Sequence, residues 1–315
     1  MGFWNTVLDK SIVFSFDKSG YTRHAKAFRT DDVPADLSHR HIVVTGANSG
    51  IGFAAAEVWA ARGAQVTLVC RNPERGRVAQ KALSALSDTA QINLIIADLS
   101  ELDAVATITQ QIEGPVHALV HNAGNMVHDL QHSSAGIEII TALHVVVPYA
   151  LTRALVSNVE AGAREGCGRI IFVSSGGMYT QPFDRDALET PAAPYDGTRH
   201  YAQTKRAQVI LAQRLHEELQ TKGISAHAMH PGWVDTPAVR RAMPTFFKVT
   251  RGILRTPAQG ADTVAWLAVG PKDIIDRAWG FWFDRQRAPV YLSKKTQRAQ
   301  PRESELMPWL AHVGV

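Results

Sequence analysis

Cysteine is scarce in this chain. Cys70 and Cys167 are the two in 315 residues, and they lie far apart. Neither has the short-spaced Cys or His companions of a metal site, and two thiols cannot build a disulfide framework. A reduced, cytoplasmic protein is the simplest reading; a single disulfide is the alternative. Long hydrophobic runs are missing too. The longest apolar stretch, Ala142 to Val156, is interrupted by His144, Pro148 and Arg153, and is too short to span a bilayer. At the N-terminus, Asp9, Lys10, Asp17 and Lys18 break up the apolar residues, which excludes a secretory signal core. Gly2 and Thr6 superficially match an N-myristoylation pattern, but bulky Phe3 and Trp4 make it a poor example. That aromatic start suits peripheral contact with a membrane or with the protein body. Blocks of one charge are also absent. The 33 Lys and Arg against 29 Asp and Glu give a net charge of +4, scattered along the chain, which argues against a nucleic-acid module. A few cations placed for a phosphorylated ligand explain the excess. The 13 histidines show no ligand spacing, so no metal is expected.

What is present is an ordinary globular composition, 45% hydrophobic and 20% charged, and from His41 a rhythm. Short apolar runs, His41–Thr45, Gln65–Cys70, Gln91–Ala97, Val116–Val120, Arg169–Val173 and Ser225–Met229, alternate with helix-like stretches. Strands buried on both faces and separated by helices predict an α/β fold with a doubly wound parallel sheet, a Rossmann fold. Ligands of such sheets bind beyond the carboxyl ends of the strands. Those ends carry small, polar or backbone-exposing residues throughout. After the first comes Gly46-Ala-Asn-Ser-Gly-Ile-Gly52, in which Gly46, Gly50 and Gly52 let the backbone approach a pyrophosphate at a helix N-terminus. The spacing is G-x-x-x-G-x-G. After the second comes Cys70-Arg71-Asn72, with no carboxylate before Glu74. An enzyme preferring NAD usually places Asp or Glu there for the ribose hydroxyl, whereas Arg71 suits a 2′-phosphate. NADP(H) is therefore the preferred cofactor and NAD(H) the alternative. After the third, Asp98-Leu99 offers a carboxylate to an adenine amino group. After the fourth, fifth and sixth come Asn122-Ala123-Gly124, Ser174-Ser175-Gly-Gly and Pro231-Gly-Trp-Val-Asp-Thr236.

A further pair stands at the opening of a helical run, in His200-Tyr-Ala-Gln-Thr-Lys205. At i, i+4 the phenol of Tyr201 and the ammonium of Lys205 share a face. Bringing a phenol from pH ~10 to about 7 takes about 4 kcal/mol of differential stabilisation, and a nearby cation acts in that direction. Alone, such a pair is more often an accident of a solvated surface. Tyr195 and Arg199 repeat the spacing, but Pro194 and Gly197 argue against a helix there. Tyr179 follows Ser175 too closely to face it across a substrate, and suits a pocket wall.

Taken together and in order, Thr45-Gly-x-x-x-Gly-Ile-Gly52, Asp98-Leu99, Asn122-Ala-Gly124, Ser175, Tyr201-x-x-x-Lys205 and Pro231-Gly232 resemble the short-chain dehydrogenase/reductase family. The resemblance runs from about His41 to about Phe283 and is strongest to the retinol-dehydrogenase-like branch. Phe16–Tyr21, Val173–Met178, Met229–Pro237 and Ala258–Asp262 resemble one member of that branch. It implies that Tyr201 exchanges a proton with a substrate oxygen, that Lys205 lowers the phenol's pKa and holds the nicotinamide ribose, and that Ser175 hydrogen-bonds the same oxygen. It also implies a cofactor cradle of Gly46, Asn48, Ser49, Gly50, Ile51, Gly52, Arg71, Asp98, Leu99, Asn122, Ala123, Gly124, Pro231, Gly232, Val234 and Thr236, besides Tyr201 and Lys205. One position departs from the pattern. The asparagine that commonly holds a water linked to the lysine is replaced by His144, which titrates near neutrality when unperturbed.

The expectation is one Rossmann domain over residues 41–290, an N-terminal extension over 1–40 and a tail over 291–315. The expected activity is an NADP(H)-dependent oxidoreductase interconverting a lipophilic aldehyde or ketone and its alcohol. Tyr179, Phe183, Trp233, Met243, Phe246 and Phe247 are the candidate apolar pocket, with Pro244–Pro257 as a lid. The chain is read as a monomer or homodimer. The competing class is a catalytically weak NADP(H)-binding sensor or interaction protein, for which His144 is the supporting feature.

Overall fold

A computed structural model of the protein describes residues 11–189 and 193–313. The Gly2–Thr6 pattern with Phe3 and Trp4 lies outside these residues. Two short helices, α1 (Ile12–Phe16) and α2 (Lys18–His24), precede the alternation. It then runs β1 (His41–Thr45), α3 (Gly50–Ala60), β2 (Gln65–Cys70), α4 (Pro73–Ser84), β3 (Gln91–Ile96), α5 (Ala104–Thr109) and β4 (Ala118–His121). The second half follows with α6 (Val147–Arg164), β5 (Arg169–Val173), α7 (Gly197–Leu219), β6 (Ser225–Met229), α8 (Pro237–Ala242), α9 (Pro244–Thr250) and α10 (Pro257–Val269). It ends with β7 (Phe281–Phe283), β8 (Gln286–Arg287) and α11 (Leu306–His312).

The sheet order is β3-β2-β1-β4-β5-β6-β7-β8. All neighbours are parallel except β8, which turns back on β7. The doubly wound parallel sheet expected from the sequence is therefore present. The order reverses between β1 and β4, which is where such sheets open a crevice at their carboxyl ends. β7 and β8 escaped the sequence reading because three and two residues are too few to show an alternation.

Successive side chains of a strand point to opposite faces, and β1 shows why both must be covered. Val43 enters the core beneath α6, α7 and α11. Ile42 and Val44 enter the core beneath α3 and α10, with Trp59 and Trp266. The apolar stretch flagged in the sequence forms Ile139–Arg164, long and apolar enough to cross a membrane by length and composition alone. It packs as a core helix, with 67% of its apolar window buried. Pro148 has no N–H, so it denies the His144 carbonyl its usual helical donor, and Ala142–Val146 loosens into a π turn.

Both terminal segments pack against the sheet and its helices. Phe16 is buried among His230, Phe283 and Trp233, at ring-centroid distances of 4.6, 5.2 and 6.3 Å. At the other end Leu306, Trp309 and Leu310 join the core that holds Leu211 and Leu215 of α7. Buried Arg206 secures that tail by donating to the Val290 and Met178 carbonyls at 2.9 and 3.0 Å.

An unusual number of histidines lie inside. Burial pushes His121 and His230 down to about 3, His117 to about 4, and His41, His144, His216 and His227 below their ordinary value. A histidine with a depressed folded pKa takes up fewer protons folded than unfolded below pH ~6.5, so acid favours the unfolded chain. The histidines' contribution to stability is expected to be constant above pH ~6.5 and to fall below it. His121 and His230 alone should cost about 2 kcal/mol each by pH ~5. Urea unfolding at pH 7.5, 6 and 5 checks this, and midpoints that stay level down to pH 5 would contradict it.

Candidate active site

A cavity of about 760 Å³ lies at the carboxyl ends of the strands, over the switch point. Its floor is the loop after β1. Gly46 and Gly50 have φ of +68° and +61°, which an L side chain adopts only with strain. A Cβ on Gly46 would come within 2.7 Å of the Ala123 backbone. α3 begins at Gly50 with no side-chain cap, so the partial positive charge of its N-terminus faces the cavity uncompensated. Gly52 differs from the cradle expected of it, since it does not line the cavity. A Cβ there would meet the Asn122 amide at 2.3 Å and the Gly46 carbonyl at 2.8 Å, so its smallness lets β4 close on the loop. Asn122 spends its amide on the Thr45 and Gly46 carbonyls, at 2.9 and 3.1 Å, while Thr45 Oγ1 accepts from the N–H groups of Asn122 and Ala123. Every other residue assigned to the cradle from sequence lines the cavity.

At the outer end stand Arg71, Asn72 and Arg75. Arg71 lies 3.7 Å from Asp98, and Asp98 also accepts from Ser100 N–H and O–H at 3.0 and 2.7 Å. Arg75 was missed in the sequence. Its signal was the i, i+4 spacing to Arg71 across Asn72, which caps α4 by accepting from Arg75 N–H at 2.9 Å.

At the inner end Ser175, Tyr201 and Lys205 converge. Ser175 follows β5 in extended conformation and accepts from Gly177 N–H at 3.1 Å. Tyr201 sits in the first turns of α7, half-buried, hydrogen-bonded to Ser175. Its phenol stands at about 12, because burial raises it more than the Ser175 hydrogen bond lowers it. Lys205 Nζ donates to the Val173 carbonyl at 2.9 Å and to Gln208 Oε1 at 3.0 Å, and lies 5.6 Å from the Tyr201 ring centre. Burial brings it down to about 7. The expectation of a phenol brought near 7 beside a charged lysine is thus reversed. Desolvation raises the phenol and lowers the lysine, favouring the neutral form of each. Ser174, beside Ser175 in the sequence, is buried and donates to the Lys205 carbonyl at 2.7 Å.

His144 departs from its expected behaviour. Thr204 gives its single hydroxyl hydrogen to the Tyr201 carbonyl at 2.9 Å, so His144 Nδ1–H must donate to Thr204 Oγ1 at 2.8 Å. The other nitrogen, Nε2, accepts from Asn125 N–H at 3.3 Å. Fully buried, with Lys205 and His200 adding repulsion, its pKa falls well below neutrality. The ring is a neutral pin between the loop after β4 and α7. A second pin is the buried His200–Glu138 pair, at 2.7 Å. Tyr195 donates to the other Glu138 oxygen at 3.0 Å, which explains that tyrosine without catalysis.

Of the expected pocket wall, Trp233, Met243 and Phe246 line the cavity, joined by Met126, Ile140 and Leu143. Tyr179 and Phe183 are core, and Tyr179 donates to the Pro289 carbonyl at 2.6 Å. Phe247 lies under Arg240 at 5.1 Å. α9, in the region expected to act as a lid, and α8 before it form the outer wall, and His128 Nε2 reaches across to the Ala242 carbonyl at 2.8 Å.

Behind Trp233 lies Arg255, whose backbone N–H donates to the Trp233 carbonyl at 2.7 Å and whose side chain is buried. This buried guanidinium makes a two-point pair with Asp284, at 2.6 and 2.8 Å. It also donates to the carbonyls of Ser15, Asp17 and Pro231. Burial alone would raise the Asp284 pKa, but hydrogen bonds from His24 and Arg255 hold it below the usual range. Replacing Arg255 by Ala should cost about 3–5 kcal/mol, because Asp284 would lose its principal counter-charge in the interior. Equilibrium unfolding measures this, and a loss under 1 kcal/mol would refute it.

With this geometry in place, comparison with known proteins is informative. The short chain dehydrogenase family model matches residues 40–245. Dehydrogenase/reductase SDR family member 12 of Bos taurus is 39% identical over 292 residues, covering 92% of this chain and 90% of the relative. Retinol dehydrogenase 11 of Homo sapiens is 29% identical over 232 residues, 72% of each chain. Among solved structures, L-sorbose reductase from Gluconobacter frateurii, complexed with NADPH and L-sorbose, shares the fold. Its TM-score is 0.63 at 21% identity, over 79% of this chain and 96% of that one.

Proposed function

We propose that this chain, which belongs to the short-chain dehydrogenase family and is therefore an oxidoreductase, is an NADP(H)-dependent enzyme interconverting a lipophilic aldehyde or ketone and its alcohol. The observation that carries this is the convergence of Ser175, Tyr201 and Lys205 at the inner end of a cavity whose other end is a glycine-lined helix N-terminus. The cavity fits a dinucleotide: the Gly46–Gly50 turn would hold the pyrophosphate, Arg71 and Arg75 a 2′-phosphate, and Lys205 the ribose beside the nicotinamide. When bound, the nicotinamide supplies or accepts the hydride.

The protein's part is proton management. A carbonyl oxygen placed between Ser175 Oγ and Tyr201 Oη receives its proton from the phenol, which at about 12 is protonated at neutral pH and suited to reduction. Anionic cofactor phosphates favour a charged lysine, and a charged lysine makes the phenolate easier to form after transfer. Met126, Ile140, Leu143, Trp233, Met243 and Phe246 around this centre support an apolar substrate. The non-catalytic reading drew on His144, which as a neutral pin interrupts none of these contacts. Buried, unpaired Cys70 and Cys167 support a reduced, cytoplasmic setting, and exposed Ile12, Val13 and Phe14 suit peripheral membrane contact.

NADPH oxidation is expected with medium- and long-chain aldehydes, retinal or simple ketones. Tyr201→Phe should lower kcat by at least ~100-fold with little effect on NADPH binding. A mutant turning over at the wild-type rate would end the proton-donor assignment. Arg71→Ala combined with Arg75→Ala should weaken NADPH binding ~10- to 100-fold, the loss of one or two charge-assisted hydrogen bonds, and leave NADH unchanged. Equal losses for both cofactors would contradict the 2′-phosphate role.

A further inference from the structure

Two features from separate segments meet behind Lys205. Pro148 leaves the His144 carbonyl without its helical donor, and Gln208 Nε2 fills the place at 2.9 Å. The same side chain accepts from Lys205 Nζ through Oε1 at 3.0 Å. Gln208 and His144 are wholly buried, and Lys205 almost so. This arrangement fixes the amide's orientation. Turned over, it would set N–H groups against an ammonium and an oxygen against a carbonyl oxygen.

We propose that Gln208 is a positioning residue for the reaction, holding Lys205 in place and in its charged form, and that the helix break at Pro148 supplies its anchor. This rests on Lys205 serving the phenol and the cofactor as described above. Lys205 is otherwise faced by Val173 O, by the Tyr201 ring, and by neutral His144, which shares the Gly124 face with it. His200 lies beyond, felt through His144. Among the described residues no carboxylate acts on Lys205, and desolvation pushes it toward its neutral form. Two neutral oxygens are therefore what favours the ammonium, and Gln208 supplies the one that is a side chain. The remaining ammonium hydrogen is left for the cavity.

The test compares Gln208→Met and Gln208→Glu in the full chain. NADPH affinity is followed by fluorescence titration from pH 6 to 10, and NADPH oxidation with decanal is followed over the same range. In the wild type, affinity falls as pH rises through the lysine's titration. Met removes an acceptor, and the midpoint should drop by about one pH unit; Glu adds an opposite charge and should raise it by about one unit. Opposite shifts support the inference, since a purely structural residue would weaken binding at every pH without moving the midpoint. Coincident midpoints, or both displaced the same way, overturn it. If Gln208→Met does not fold, the Glu variant decides alone: an upward shift supports, an unmoved midpoint overturns. Because the midpoints are read from binding, they stand apart from the Tyr201→Phe result, which tests the reaction itself.

Discussion

Helices cover both faces of the seven parallel strands, and the exclusion of water that follows governs every polar group near the site. In such an interior an unpartnered amide or hydroxyl costs several kcal/mol, and an isolated charge more. Several buried polar side chains around the site accordingly occur in closed sets. Thr45 serves two N–H groups, Asn122 two carbonyls, and His144 one donor and one acceptor. Burial also displaces the titrating groups, lowering Lys205 and raising Tyr201, each toward its neutral form. The site is built from groups that the fold discourages from charging, and an anionic ligand in the cavity would favour the charged form of the lysine.

The same exclusion explains why the helix before β5 is irregular where it passes the lysine. An unbroken helix would satisfy the His144 carbonyl internally and offer Gln208 nothing to donate to. Pro148 exposes one acceptor, and the π turn spreads the distortion over Ala142–Val146 instead of stopping the helix. A local flaw in secondary structure thus becomes a fixed point for a side chain of α7, one turn from the lysine and two from the tyrosine.

Much of this was legible in the sequence, for physical reasons. Strands buried on both faces read as apolar runs, so β1 to β6 were recognisable; the glycine loop was recognisable because positive φ and close approach admit few other residues. Tyr201 and Lys205 were visible because helical periodicity is regular. The remainder depends on contacts between distant segments. Tyr179, Phe183 and Phe247 have the same chemistry as Trp233 and Phe246, and their place in core or cavity is decided by α8, α9 and the segment after β8. Gly52 belongs to the motif yet serves packing. Gln208 is an unremarkable helical glutamine until the carbonyl orphaned by Pro148, sixty positions earlier, is brought beside it. The sign of the pKa shifts was also beyond reach, since spacing shows a neighbour but not how much water the two have lost.

The N-terminal segment shows how far such dependence extends. Phe16 gives its carbonyl to Trp233 N–H at 2.8 Å and its ring to the underside of Gly176, so one residue touches the loops bearing both Ser175 and the cavity wall. Arg255 gathers the carbonyls around it, from Ser15, Asp17 and Pro231, and balances its charge on Asp284. That carboxylate stands at a turn where Asp284 and Arg285 have φ of +47° and +56°, a costly conformation for both. The strain is tolerated because the turn closes β7 onto β8 and delivers the carboxylate to a guanidinium that reaches no other anion among the described residues. Removing the extension would therefore do more than shorten the chain. It would strip Arg255 of two carbonyl partners and uncover His230, leaving Trp233 and the wall that depends on it without a back.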